Sequence, residues 1–144
     1  MVPSGSSTDV EEAALQVRNL MKSPVVSIAP DETLRGASQL MVEHGIGSVL
    51  VTGGGGSTGI LTERDVMTAA AKAGDLSQAR VSDHMTSPVV TASPGWDVTV
   101  AAAEMVKRRI RHLVVAEGGT ALGVISMRDV MSVFLPERVH QEET

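Results

Sequence analysis

The chain contains no cysteine and no tyrosine, and only one tryptophan and one phenylalanine among its 144 residues. Without cysteine there is no disulfide, no thiol nucleophile and no thiolate metal site, which fits a reducing compartment. With two aromatic side chains in all, base stacking is nearly unavailable. The net charge of -5 is the wrong sign for a phosphate backbone, so nucleic acid is not expected as a partner. Long apolar runs are also missing: none approaches the roughly 18 residues of a membrane-spanning helix, so no membrane partner is expected. The opening Met1-Val2-Pro3-Ser4-Gly5 lacks the basic-then-apolar pattern of a signal peptide. The expectation is a cytoplasmic protein whose residues 1–8 are a disordered tail. His44, His84 and His140 have no second histidine or acid at metal-ligand spacing, so neither a metal nor a required cofactor is expected.

What is present is an ordinary apolar fraction of 42%, mostly Val, Ala, Leu, Ile and Met, in a chain long enough to bury a core without metal or disulfide staples. One stretch invites a specific reading. Within "GGGGSTG", Gly53 to Gly59, the last six residues satisfy G-x-G-x-x-G, and Asp75 lies near the distance at which a dinucleotide fold places its ribose-binding acid.

Self-similarity decides against it. "MKSPVVSIAP" at Met21 to Pro30 returns as "MTSPVVTASP" at Met85 to Pro94, and "ILTERDVM" from Ile60 returns as "VISMRDVM" from Val124, both at a shift of 64 positions without a gap. At that shift "GGGGSTG" meets "EGGTALG". Only Gly54/Gly118, Gly55/Gly119 and Gly59/Gly123 survive duplication, which we read as the needs of a turn. A dinucleotide loop must also lead from strand into helix, whereas Gly59 is followed by the apolar "ILT".

Each copy reads alike. A Ser-Pro-Val-Val segment precedes a helix that Thr33 or Asp97 can cap. Ala37, Leu40, Met41 and His44 recur at helical spacing in copy one, and Val98, Ala101, Ala102, Met105 and Val106 in copy two. Gly45 suits a left-handed helix stop. Two apolar strands around a glycine turn follow, "SVLV" then "GILT" or "HLVV" then "GVIS", and a last helix closes each copy. Residues 21–67 and 85–131 are therefore predicted to share one fold. "TDVEEAALQVRNLM" fits a leading helix, with Thr8 and Glu11 at capping-box spacing and Val10, Ala14, Val17 and Leu20/Met21 on one face. Met21, Met41, Met85 and Met105 occupy paired positions expected in the core.

A helix, two strands joined by a glycine turn, and a strand ending in h-[T/S]-x-x-D before a last helix, all in tandem over about residues 9 to 135, resembles the cystathionine-β-synthase (CBS) domain pair. The resemblance implies an α/β (α+β) fold of tandem β-α-β-β-α repeats with pseudo-twofold symmetry and sheets packed face to face. It divides the chain into repeat one with its leading helix (9–74), a linker (75–84), repeat two (85–135) and a C-terminal tail (136–144).

At Thr62/Asp65 and Ser126/Asp129 a carboxylate stands three residues after a hydroxyl, where a strand passes into a helix. One ionised Asp can accept both hydroxyls of a ribose diol in charge-assisted bonds, and first-turn N–H groups can face phosphate. The plainer alternative is that each pair only caps its helix; cap and site can coexist. The resemblance assigns the ribose to Asp65 and Asp129, with clefts that mix the repeats. It implies that Thr62 and Asp65 share a cleft with Val90, Thr91, Ala92, Ile110, Arg111 and His112. Ser126 and Asp129 would share theirs with Val26, Ser27, Ile28, Ile46, Gly47 and Ser48. Arg111 and His112 would then offer positive charge where the other cleft has Gly47 and Ser48. Arg64 and Arg128 recur inside the motif and can reach phosphate or pair with carboxylates. Lys107, Arg108 and Arg109 read as a solvated helix end complementing the dipole, and Trp96 as a loop anchor.

The resulting expectation is a stand-alone regulatory module that is not an enzyme. Its ligand would be AMP, ADP, ATP or S-adenosylmethionine, its assembly a homodimer, and its output an unknown effector protein. Two rivals are a ligand-free dimerisation scaffold and a small hydrolase using His112 with Asp65 or Asp129.

Overall fold

The computed structural model describes residues 15–54 and 56–135. The proposed cap at Thr8 and Glu11, the apolar positions Val10 and Ala14, Gly55, His140 and both expected tails lie outside them.

Copy one runs β1 (Ser27–Ile28), α2 (Leu34–His44), β2 (Ser48–Gly53), β3 (Gly56–Thr62) and α3 (Glu63–Ala73), after a short α1 (Val17–Leu20). Copy two runs β4 (Thr91–Ala92), α4 (Val98–Arg108), β5 (His112–Glu117), β6 (Thr120–Ser126) and α5 (Met127–Ser132). From β1 to β3 every element returns 64 positions later with the same bounds. Each copy forms a three-stranded sheet, β1-β2-β3 or β4-β5-β6, with the first pair parallel and the second antiparallel. The tandem α/β repeat expected from the sequence is the observed fold.

Local chemistry sets the helix bounds. Thr33 Oγ1 accepts the Gly36 N–H at 3.1 Å, and the Asp97 side chain accepts the Thr99 N–H at 2.8 Å. The Thr99 hydroxyl, which donates to Asp97 Oδ1 at 2.7 Å, and the Thr99 N–H together hold the Asp97 carboxyl below its ordinary range. Gly45 ends α2 at φ 64°. Its counterpart Arg109 ends α4 at φ 60°, although a Cβ disfavours the left-handed region by roughly 1–2 kcal/mol. Arg109→Gly is therefore expected to raise unfolding free energy by about 1 kcal/mol; a denaturant midpoint that stays put or falls would refute the strain.

The buried stripe of α2 is Leu34, Ala37 and Met41, and that of α4 is Val98, Ala101 and Met105. Leu40 and Ala102 are half-buried. Two residues assigned to these stripes lie elsewhere. His44 is the last helical residue before the chain turns at Gly45, and it is exposed. Val106 is one step, about 100°, past Met105 and is 69% exposed. In β2, Ser48 to Val51 are all buried, so both faces of the strand are covered and its apolar residues run without alternation.

The contacts divide the chain into two compact units: one is Pro24–Val90, the other joins Thr91 onward with the chain up to Ser23. In the first unit the stretch after α3 returns to its own copy. Leu34 and Arg35 N–H groups donate to Ala79 and Leu76 carbonyls, Thr86 and Ile60 exchange two backbone bonds of 2.9 and 3.0 Å, and Val81 is fully buried in the core. The second unit repeats this with the segment that precedes copy one. Val98 N–H donates to Leu15 O, Val17 N–H to Trp96 O, and Lys22 exchanges bonds of 2.8 and 3.1 Å with Val124. Val17 is fully buried, which by area is worth about 1.5–3 kcal/mol.

The same segments explain two glycines differently from the turn read in the sequence. Gly54 (φ 62°), Gly118 (φ 58°) and Gly119 (φ 83°) do make the hairpin turns, but Gly59 and Gly123 lie inside strands, opposite Val51 and Val115. A Cβ on Gly59 would stand 2.8 Å from Thr86 O and 2.7 Å from Met85 Sδ. On Gly123 it would stand 2.6 Å from Lys22 O and 2.9 Å from Met21 Sδ. These glycines admit a neighbouring backbone. The Rossmann reading fails on the same geometry, since the glycine stretch joins two antiparallel strands.

Candidate functional site

Thr62 ends β3 and caps α3. Its N–H donates to Asp65 Oδ2 at 2.9 Å, and Asp65 N–H donates to Thr62 Oγ1 at 3.2 Å, a complete capping box. In copy two Ser126 N–H donates to Asp129 Oδ2 at 2.8 Å and Asp129 N–H to Ser126 Oγ at 3.1 Å, while the Ser126 hydroxyl donates to Asp129 Oδ2 at 3.0 Å. The capping role weighed from the sequence is thus real in both copies. It commits one carboxylate oxygen and leaves the other for a further partner.

The helix starts are less open to phosphate than the motif suggested. Glu63 N–H donates to Gly47 O and Met127 N–H to Arg111 O, both at 2.9 Å. With the N–H groups of Thr62, Glu63 and Asp65 engaged, the remaining first-turn donor of α3 is that of Arg64. The carbonyl contacts arise because Ser48 pairs with Thr62, and His112 with Ser126, where the strands end together.

Each motif therefore adjoins its own copy's second strand. Beside Thr62 and Asp65 stand Ile46 (half-buried), Gly47 and Ser48 (6% exposed), with Ser27 opposite Leu50 and Ile28 opposite Val51. Val26, half-buried, accepts the Leu50 N–H at 2.9 Å. Beside Ser126 and Asp129 stand Ile110, Arg111 and His112, with Thr91 opposite Val114 and Ala92, buried, opposite Val115. Val90, half-buried, ends the Pro24–Val90 unit. Arg64, Arg111 and Arg128 are exposed, and His112 is half-buried.

The two carboxylates differ in a way the motif does not reveal. Asp129 is buried, and its Oδ1 is 3.1 Å from Lys22 Nζ. Asp65 is half-buried, and the residue 64 positions after Lys22 is Thr86, which has no charge to offer. The difference was readable in "MKS" against "MTS", but nothing in the sequence placed Lys22 beside Asp129.

The other candidates settle as surface features. Arg108 Nε donates to Glu104 Oε2 at 2.9 Å, which depresses the Glu104 carboxyl. Lys107, Arg108 and Arg109 are exposed. Among the described residues no group of three or more His, Cys, Asp or Glu could hold a metal. Trp96 is half-buried, and its backbone fixes the loop before α4 by accepting the Val17 N–H and donating to Ser93 O.

A family model described as CBS domain matches residues 17–72 and 81–136. The CBS domain-containing protein YhcV of Bacillus subtilis is 27% identical over 114 residues, 79% of this chain and 81% of that one. The CBS-domain containing protein ATU1752 from Agrobacterium tumefaciens superposes with a TM-score of 0.79 at 34% identity, over 85% of this chain and 95% of that one. The CBS domain protein PAE2072 from Pyrobaculum aerophilum, solved in complex with AMP, gives a TM-score of 0.73 at 27% identity, over 88% and 96% of the two chains.

Proposed function

This chain belongs to the CBS domain family, and from that premise we propose that it is a regulatory module that binds an adenosine-containing ligand and relays its binding to a partner protein. The observation that carries the reading is the divided carboxylate of Asp65. Oδ2 is held by the Thr62 N–H, which fixes the side chain, while Oδ1 stays available to a ribose diol. A preset acceptor loses little entropy on binding, and bonds to an ionised oxygen are the stronger class. Ile46, half-buried, precedes Gly47, whose carbonyl accepts the Glu63 N–H, and offers apolar surface beside the motif for a purine. The AMP complex of PAE2072, at 27% identity, supports a nucleotide of that kind, and AMP, ADP, ATP and S-adenosylmethionine all carry the diol.

The proposed output is protein association, with no catalytic step. Exposed apolar residues recur at equivalent helix positions, Val42 with Val106 and Met67 with Met131, exposed by 82%, 69%, 65% and 49%. A second copy presents the same four side chains, so these faces support a homodimer. The absence of cysteine supports a reducing, cytoplasmic setting.

A thermal-shift series with the four adenosyl compounds tests the reading. A ligand at 100 times its dissociation constant should add roughly 2.7 kcal/mol of stability, a rise of several degrees for a chain of this length. No shift with any of the four refutes nucleotide binding and leaves dimerisation alone; turnover of a nucleotide would instead favour the hydrolase.

A further inference from the structure

Asp129 has no uncommitted oxygen. Oδ2 takes the Ser126 N–H and hydroxyl, and Oδ1 faces the Lys22 ammonium at 3.1 Å. The carboxylate is only 8% exposed, whereas the lysine side chain is 66% exposed. An ion pair with so exposed a cation adds little to folding, so Lys22 contributes chiefly by occupying the acceptor. Its backbone is pinned by the two bonds to Val124, which keeps the ammonium in reach. At the equivalent place in copy one, Thr86 makes the same two backbone bonds, to Ile60, and brings no cation to Asp65.

We infer that Lys22 is a built-in competitor that closes the Asp129 site, so that the protein takes one adenosyl ligand per chain, at Asp65. The inference rests on the ligand reading above and adds to it a count and a residue that sets it. A ribose diol approaching Asp129 must displace an ammonium from a buried carboxylate oxygen, giving up an ion pair for the hydroxyl bonds that the open Oδ1 of Asp65 accepts without a competitor. The closed site should be weaker than an open one by about tenfold or more.

Isothermal titration with AMP, backed by native mass spectrometry, counts the sites in wild type, Lys22→Thr, Lys22→Met and Lys22→Thr/Asp65→Asn. Threonine is what copy one carries at this position, and methionine keeps the aliphatic stem without the charge, so a folded variant is available if one fails. The expected counts are one equivalent for wild type and two for either single variant. The double variant should keep a site at Asp129 while the one at Asp65 weakens. Two equivalents in wild type, or one in both Lys22 variants, overturn the closure and leave the ligand reading intact. No binding in wild type with one equivalent in Lys22→Thr overturns the Asp65 reading and supports closure. No binding in any variant removes both.

Discussion

Gly123→Ala is expected to lower the unfolding free energy by about 3 kcal/mol, a large part of the stability of a small domain. The added methyl would stand 2.6 Å from Lys22 O and 2.9 Å from Met21 Sδ. The methionine can swing aside, because its thioether chain has free torsions. The carbonyl cannot, since it accepts the Val124 N–H and the Lys22 N–H donates back to Val124 O. Relief therefore means moving the segment and breaking two backbone bonds, each worth about 1 kcal/mol, on top of about 1–3 kcal/mol for overpacking. Gly59→Ala should behave alike, because Thr86 O at 2.8 Å is held by the same reciprocal bonds to Ile60. Gly118→Ala is the control: nothing lies within 4 Å of its Cβ, so the cost is only that of a left-handed alanine at φ 58°, about 1 kcal/mol. Urea unfolding of the three variants checks the ordering. Equal losses at Gly118 and Gly123 would mean that the segment through Lys22 does not press on β6.

These two glycines mark where the sequence stops being legible. The duplication exposed them, because a shift of 64 aligns Gly59 with Gly123, but a sequence pattern registers only that a side chain is missing. Whether the reason is a turn or a neighbouring backbone depends on contacts made far along the chain. Lys22 reaches Val124 across about a hundred residues, and Thr86 reaches Ile60 from beyond a helix and a link. The elements themselves were readable, since each rests on local chemistry: a hydroxyl or carboxylate at Thr33, Asp97, Thr62 and Ser126 to cap, Gly45 to stop, and apolar residues at period 3.6. His44 and Val106 were misplaced because periodicity gives a helix its face but not where that face runs out. The two motifs were legible as a pair, and an inequality of their clefts was read from Arg111 and His112 against Gly47 and Ser48. The inequality at the carboxylates was not, because the lysine stands in the sequence but its place beside Asp129, 107 positions later, does not.

Asp65→Asn should weaken AMP by about tenfold to thirtyfold while leaving the protein folded. The substitution keeps the side chain's size, and its amide oxygen can still accept the Thr62 N–H that now reaches Oδ2 at 2.9 Å. Loss of negative charge in the first turn of α3 costs about 0.3–1 kcal/mol of stability through the helix dipole. The ligand loses more. Bonds from ribose hydroxyls to an ionised oxygen contribute about 1.5–3 kcal/mol, and neutral ones about 1. The amide also presents an NH₂ donor on the side where the diol needs an acceptor, so one of the two hydroxyls is left facing another donor. A difference of about 1.4–2 kcal/mol corresponds to the stated loss. Asp129→Asn should change the same titration little, because Lys22 already occupies that carboxylate and the ammonium, 66% exposed, can return to water when the charge is removed. Calorimetric affinity for AMP unchanged in Asp65→Asn would return Asp65 to the cap it makes with Thr62. Equal losses in both variants would mean that Asp129 reads the ribose despite Lys22.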